Sequence, residues 1–298
     1  MIGLVRAVVW LGLWGGLIAL VGSFAGGLHP VGDSLAVFRV PIAMVVVVLS
    51  FALAFLGRRR AGAIFLSVAA AAVVPAAMAT LTPSATPAGG LTLYQKNLYH
   101  RMFKPDLVTA DIRLVDPDVV TLQEVSRRSK VVLETVKDRL PSQIQCISKR
   151  VGNVAIAARW PIVSGTASCP DAPGLAVMQV EAPQGPLWIV ALHLRWPYPD
   201  TQAAQLREAV PFLETLDGPI LLAGDFNMVP WSYALRRIAQ ATGSTRVGSA
   251  PSTFPRFHPW VRLPIDHVFA PGQGSVELRP LLGSDHYGIV ARIQLDAD

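Results

Sequence analysis

The sequence predicts an α/β domain carried behind three membrane-spanning helices. Three observations predict it. Residues 1–90 hold three long apolar stretches and a single acid. Residues 91–298 alternate short apolar runs with segments of helical pattern. Within that part Asn97, Glu124, His193, Asp225 and Asn227 each stand just after an apolar run.

Length and charge support the division. The chain has 298 residues, room for about two domains. It is 52% apolar and only 15% charged. Residues 1–90 contain five Arg and one Asp, with no Lys or Glu, which is +4 of the formal +6. Residues 91–298 carry the remaining 21 basic and 19 acidic residues, a balance of +2. The alkaline character thus belongs mainly to the N-terminal part. It gives no basic patch on the working domain of the kind nucleic-acid binding needs.

The first stretch, residues 7–28, is uncharged over 22 residues, about 33 Å as a helix. The second is residues 37–56, with Arg39 expected to snorkel to the interface. The third, residues 61–81, is rich in Ala and Val and contains Pro75, which a packed membrane helix tolerates. A cleaved signal peptide is the alternative for the first stretch, but its apolar region is too long and two more follow. Arg58, Arg59 and Arg60 form the densest charge cluster here, and short basic loops stay cytoplasmic. Arg6 then lies inside as well. Residues 91–298 are expected on the extracytoplasmic side of a multi-pass protein of the cell (inner) membrane.

Residues 82–90, made of Thr, Pro, Ser, Ala and Gly, read as a linker that builds no core. Cys146 and Cys169 lie beyond it, on segments that a meander of strands brings near each other. A disulfide is expected in an oxidising compartment and two buried thiols in the cytoplasm. Their spacing matches no metal motif.

Taken in order, residues 91–96 alternate toward a strand that ends at Asn97. Residues 106–115 read as a helix stopped by Asp116 and Pro117. Residues 119–123 form a strand ending at Glu124, and Ser126 is placed to cap a helix to about 139. Three or four strands follow between 144 and 180. Residues 187–192 are a buried strand ending at His193. Asp200 is placed to cap a helix over 201–216, kinked by Pro211. Residues 220–223 are the central strand, ended by Gly224 with Asp225 and Asn227 behind it. Pro230 fits the first turn of a helix to about 241. Residues 265–270 and 288–295 supply the last two strands. No internal repeat is visible.

Gly, Asp and Asn are ordinary turn residues, so the Gly224-Asp225-Phe226-Asn227 stretch alone says little. In an α/β sheet, however, residues beyond strand ends converge on the edge where ligands bind. Asp266 with His267, and Asp285 with His286, join the same set.

The order of Leu122-Gln123-Glu124, Ala158-Arg159-Trp160-Pro161, Leu192-His193-Leu194, Gly224-Asp225-Phe226-Asn227, Ile265-Asp266-His267 and Ser284-Asp285-His286 resembles the endonuclease/exonuclease/phosphatase superfamily, whose fold is that of DNase I. The resemblance covers the whole of 91–298 and none of the membrane part, as in a membrane-anchored, bacterial-type member. It implies a four-layer α/β/β/α sandwich and Mg2+-dependent cleavage of phosphate esters, with Mn2+ as a substitute. By the same resemblance Glu124 is the metal ligand, Asn97 a neutral oxygen near the metal, and Asp285 a further acid beside it. Asp266 and His286 form a pair that activates or positions water. Asp225 and Asn227 orient the nucleophile and hold the phosphate, and His193 is the acid toward the leaving group. Abasic-site endonucleases have an Asn-x-Tyr segment where this chain has Leu192-His193-Leu194, which argues against DNA repair.

Such hydrolysis needs charge against the phosphate, a base for water and a group for the leaving oxygen. Mg2+ takes oxygen ligands and keeps several waters, so one or two carboxylates suffice. His267 is expected to be a packing residue, and His29, His100 and His258 belong to no motif. Arg159 is expected to support the site by pairing with an acid. Trp196, Tyr198, Trp231 and Trp260 are candidates to line a cleft. The expected substrate is a phosphate ester: a lipid head group, a nucleotide or a nucleic acid. A nuclease is disfavoured by the near-neutral domain. A scaffold is disfavoured by the complete set of acids and histidines. A transporter is disfavoured by spans without internal charge.

Overall fold

The computed structural model describes residues 2–81, 90–102, 104–148, 152–257 and 261–296. The linker expected at 82–90 lies outside them except for Gly90, as does Trp260.

The N-terminal part folds as α1 (Ile2–Gly22), α2 (Val31–Val37), α3 (Arg39–Phe55) and α4 (Arg59–Leu81). Two of these, α1 and α4, are long and apolar enough to cross a membrane. The short α2 meets α3 at a bend of 69°, and the pair makes a third span only if counted as one. The helices pack through small residues. A Cβ on Gly12 would reach Leu49, and one on Gly62 would meet the Ser50 carbonyl. Leu11, Ile18, Val48, Phe55, Ile64 and Met78 face outward.

Two expectations change here. The first helix stops at Gly22, because the chain turns at residues 23–28 around Gly26 and Gly27. Arg39 does not snorkel. It is 1% exposed, donates from Nε to Ser23 Oγ (2.8 Å) and from Nη2 to Ser23 O (2.6 Å), and lies 3.8 Å over the Phe24 ring. The bend at Phe38 points it back at the end of α1 rather than outward.

The rest of the chain runs β1 (Leu91–Asn97), α5 (Pro105–Val115), β2 (Val119–Val125), α6 (Val131–Val136), β3 (Ser142–Cys146), β4 (Asn153–Ala158), β5 (Leu175–Ala182) and β6 (Gly185–His193). It continues α7 (Gln202–Leu213), β7 (Ile220–Asp225), α8 (Tyr233–Ala241), β8 (Thr245–Arg246), β9 (Phe254–Phe257), β10 (Val261–Leu263), β11 (Asp266–Ala270), β12 (Gly272–Arg279) and β13 (Gly288–Leu295). One sheet has the order β12-β13-β1-β2-β4-β3, the other β5-β6-β7-β11-β8, and β9 pairs with β10 apart from both.

Strand alternation builds the layers. In β7, Leu221 and Ala223 face the other sheet, where they meet Leu93, Ile156 and Ile289. Leu222 faces the opposite way, onto Leu213 of α7 and Leu235 of α8. Val120 and Leu122 of β2 pack on Ile112 of α5 and Val136 of α6. The result is the expected helix–sheet–sheet–helix sandwich. Its core on the α7–α8 side also contains Ala36 and Val37 of α2.

Several boundaries differ from expectation, each for a local reason. Ser126 does not cap a helix to 139. Its amide donates to Ser129 Oγ (2.8 Å) and its hydroxyl accepts from the Ser129 amide (3.3 Å), so a turn forms and α6 is short. Asp200 accepts from the Thr201 amide (2.7 Å) and leaves α7 to begin at Gln202. α8 begins past Pro230, where Ser232 accepts from the Leu235 amide (3.2 Å). β12 is an edge strand of half-polar sequence, which the apolar pattern did not reveal. Arg159 does pair with acids, but with Asp116 and Asp118 at the start of β2, the far end from Glu124. Cys146 and Cys169 are joined as a disulfide with Cα atoms 5.3 Å apart.

Candidate active site

Register brings the polar strand ends together. In the parallel β6–β7 pair His193 lies opposite Asp225, and in the antiparallel β7–β11 pair Asp225 lies opposite Asp266. In the facing sheet Asn97 lies opposite Gln123, one residue before Glu124. Both sheets therefore deliver their acids to one edge of the sandwich. Gly224 is required for this approach: a Cβ there would collide with the Leu192 carbonyl oxygen. Two site residues hold left-handed backbone, Glu124 at φ 53° and Asn227 at φ 47°. At Glu124 the β2–β4 register shifts between Leu122 and Val125, a bulge that re-aims the side chain. Non-glycine residues sit in this region only when the surroundings hold them there.

The side chains form one connected network. Asn97 Nδ2 donates to Asp225 Oδ2 (2.9 Å) and Glu124 Oε1 (3.2 Å), bridging the two sheets, while its Oδ1 accepts from the Tyr99 amide (2.8 Å). Asp225 Oδ1 accepts from the Asn227 amide (2.9 Å), and Asn227 Nδ2 donates to Leu194 O (2.7 Å). Asp225 Oδ2 lies 3.5 Å from His193 Nε2 and 3.7 Å from His286 Nε2. His286 Nδ1 is bonded to Asp266 Oδ2 at 2.8 Å, and Gln95 Nε2 donates to Asp266 Oδ1 at 3.0 Å. The Phe254 ring covers His286 at 4.8 Å.

Ligand atoms of Asp225, Asp266 and His286 all lie within 4.8 Å of one another, and Glu124 and Asp285 belong to no such group among the described residues. Glu124 instead opens onto a cleft of about 290 Å3, shared with His193, Trp196, Asn227 and His100. A larger cavity of about 660 Å3 lies between α3, α4 and the domain, but among the described residues Arg262 is the only charged one on its walls. Candidate site residues line the cleft and not the larger cavity.

The charges explain each other. Burial pushes the His286 imidazole down, but Asp266, Asp225 and Asp285 together raise it to about 9. Burial likewise opposes charge on His193, and the bond and charge of Asp225 with the charge of Glu124 still raise it. Burial pushes Glu124 up, yet His193 and the bonds from His100 and Asn97 bring it below its usual range. Buried Lys96 falls to about 8 through loss of solvation, partly countered by Asp266, Asp111 and Asp285. Its Nζ donates to the carbonyls of His286 (2.9 Å) and Pro280 (3.0 Å), fixing the loop that carries Ser284, Asp285 and His286.

His267 is a packing residue, as its sequence context suggests. It is 2% exposed, packs on Phe226, and its Nε2 bonds Met228 O at 2.9 Å. Burial lowers it to about 3. The unfolded chain therefore binds an extra proton between about 6.5 and about 3, and stability falls as pH falls through that window. At full expression this is roughly 5 kcal/mol. His267→Gln is expected to flatten the acid limb of a stability–pH curve; equal slopes in both proteins would refute this.

Sequence reasoning missed several contributors. His100 bonds Glu124 Oε2 through both its amide and Nδ1, each at 2.8 Å. It follows Asn97 by three residues, just past a strand end, which was the available signal. Gln95 and Gln123, joined at 2.7 Å, and Lys96 lie within strands where polar residues are fully buried. A buried polar run at the end of an apolar strand marks such a network. Of the aromatic candidates, Trp196 lines the cleft. Tyr198 lines a different cavity, and Trp231 donates from Nε1 to Ala36 O (2.8 Å) of α2.

The family described as Endonuclease/Exonuclease/phosphatase matches residues 95–286. Among solved structures the chain is similar to an endonuclease/exonuclease/phosphatase from Beutenbergia cavernae, at 22% identity and TM-score 0.54, covering 69% of this chain and 71% of that one. It is similar to a doubly substituted beta toxin from Staphylococcus aureus with bound magnesium ions, at 16% identity and TM-score 0.54, covering 69% of this chain and 100% of that one. A family protein from Leptotrichia buccalis matches at 16% identity and TM-score 0.54, over 69% of this chain and 100% of that one. No curated protein matches.

Proposed function

This chain belongs to the endonuclease/exonuclease/phosphatase family, and we propose that it is a membrane-anchored, metal-dependent hydrolase of phosphate esters, foremost phosphodiesters. One observation carries the reading: Glu124, Asn97, Asp225, His286 and Asp266 form an unbroken network across both sheets beside a single open cleft.

The donors fit a hard divalent cation. Glu124 and Asp225 offer carboxylate oxygens bridged by one amide, and oxygen sets of this kind suit Mg2+ or Mn2+. Glu124 would hold the ion, with Asn97 keeping it beside Asp225 and Asp285 adding negative charge. Bound there, the ion supplies positive charge against the phosphate oxygens. The rest falls to the side chains. His286, held by Asp266 and charged at neutral pH, grips a phosphate oxygen with Nε2. Asp225, its carboxylate set by the Asn227 amide, orients the attacking water and takes the proton it loses, which then returns to His193. His193, with its proton held by Asp225, delivers it to the departing oxygen, and Phe254 keeps bulk water off His286.

The domain's extracytoplasmic placement, in the cell (inner) membrane, rests on helix ends. Arg6 Nη2 donates to Leu56 O (3.0 Å), so Arg6 and the Arg58–Arg60 cluster share one end of the bundle. Ser23, Arg39 and Ala79 share the other, where Arg246 Nη2 reaches Ala79 O (3.1 Å). With the bent pair counted as one span, basic residues stay inside and the domain lies outside. The disulfide supports the same side.

The deciding measurement is hydrolysis of a generic aryl phosphodiester by the full chain in detergent, with Mg2+ and with EDTA. Metal-dependent release of the phenol is expected. No hydrolysis of that ester, nor of lipid, nucleotide and nucleic-acid panels, overturns the reading.

A further inference from the structure

A second polar cavity, about 250 Å3, lies under the loop from β6 to α7 and is separate from the cleft. One wall is the turn that follows α1, at residues 26–30; the other comes from residues 197–210 and from Tyr233 and Arg237 of α8. We propose that this cavity binds the phosphate of an anionic membrane lipid. The proposal does not rest on the hydrolase reading.

Position is the first argument. The cavity's wall begins four residues past Gly22, where a helix long enough to cross a membrane ends. At about 1.5 Å per residue this is head-group depth. Leu28, on the cavity wall, is 91% exposed, and neighbouring Phe24 is 51% exposed. Such side chains in the turn between two apolar helices suit the interfacial layer. Tyr198 and Tyr233, both on the walls, are the ring type that settles there.

Charge is the second. Arg207 makes no ion pair or hydrogen bond among the described residues. Among the described residues Arg237 hydrogen-bonds only the Tyr233 hydroxyl (3.5 Å) and lies 6.0 Å from the centre of its ring. The one acid on the walls is Asp33, and its two oxygens accept from the Tyr233 (2.8 Å) and Ala234 (2.9 Å) amides. His29 accepts from the Val31 amide at Nδ1 (3.2 Å), which leaves its Nε2 to carry the proton. Arg207, Arg237 and His29 thus line a space whose one acid, Asp33, is engaged by two backbone amides. A site with two guanidinium forks and its one acid already engaged matches a phosphate, which offers only acceptors.

Shape is the third. Gly26 and Gly27 lie flat against Tyr233: a Cβ on Gly26 would stand 2.8 Å from its Cβ, and one on Gly27 would stand 3.1 Å from its ring. The backbone is held there by the Asp33 bonds, so the cavity is formed without a ligand.

The experiment uses the full chain in lipid nanodiscs or mild detergent, with short-chain phosphatidylglycerol and phosphatidylcholine as probes and inorganic phosphate as competitor. Phosphatidylglycerol is expected to bind at least ~10-fold tighter than phosphatidylcholine. Arg207→Gln with Arg237→Gln should remove that preference, and neither side chain is buried enough for the change to unfold the chain. Arg236→Gln, exposed and off the cavity wall, should leave it intact. Displacement by inorganic phosphate supports the phosphate as the recognised group. Equal binding of the two lipids, an unchanged preference in the double variant, or equal loss in Arg236→Gln overturns the proposal. So does inorganic phosphate binding as tightly as phosphatidylglycerol.

Discussion

His286→Ala lowers phosphodiester turnover by more than ~100-fold while the protein stays folded. The imidazole sits between two carboxylates, bonded to Asp266 and 3.7 Å from Asp225. Removing it deletes the cation that grips the phosphate. It also leaves Asp225 and Asp266 facing each other without their shared counter-charge. His286→Gln separates these effects. Its amide can fill the space and donate a bond, so stability recovers, but it cannot carry charge. Turnover should stay low in both variants, with melting temperature restored only in the glutamine form. Turnover within about threefold of the parent in either variant would remove His286 from the mechanism.

Glu124→Ala removes metal dependence together with most activity. Glu124 is the carboxylate of this network that opens on the cleft while held by neutral donors, the His100 amide and Asn97. Among the described residues no Lys or Arg pairs with it, and His100 Nδ1 lies 2.8 Å from Oε2. It is therefore free to lose those bonds to an ion. The variant has a readout beyond activity: direct titration of Mn2+ by its magnetic resonance signal. The parent should take up one ion per chain with micromolar to millimolar affinity, and Glu124→Ala should lose at least ~10-fold. Unchanged Mn2+ binding would move the metal to the Asp225, Asp266 and His286 group instead.

The fold was legible where apolar periodicity is strong. β2, β6, β7 and β13 lie within one or two residues of their expected places because buried strands leave continuous apolar runs. Of the candidate site residues, Asn97, Glu124, His193, Asp225 and Asn227 stood out because each follows such a run, while Asp266, Asp285 and His286 stood out only by their Asp–His pairing. What escaped was set by partners distant in sequence. β12 is half polar, and its existence depends on pairing with β13 along its whole length. Arg39 reads as an interfacial residue until the α2–α3 bend places it against Ser23. His100 has no meaning until the bulge at Glu124 turns that carboxylate toward it. Arg159 was matched with an acid, but one-dimensional spacing could not say at which end of the sheet.

One contact set alters how the membrane part is understood. Asp33 caps α8, Ser34 Oγ donates to Tyr198 O (2.7 Å), and Ala36 and Val37 lie inside the sandwich's own core. The loop between the first two apolar helices is thus a structural member of the catalytic body. Joined at two points rather than one, the body loses its swivel. With the helices in a membrane as proposed, the height and tilt of the cleft over the lipid plane would be constants of the fold, set by side-chain packing. A hydrolase mounted in this way would sample only the shell of solvent or lipid that its mounting reaches, with an encounter rate governed by what diffuses to it. It follows that residues 90–298 expressed alone would expose a hydrophobic socket, and would differ from the mounted form in more than location.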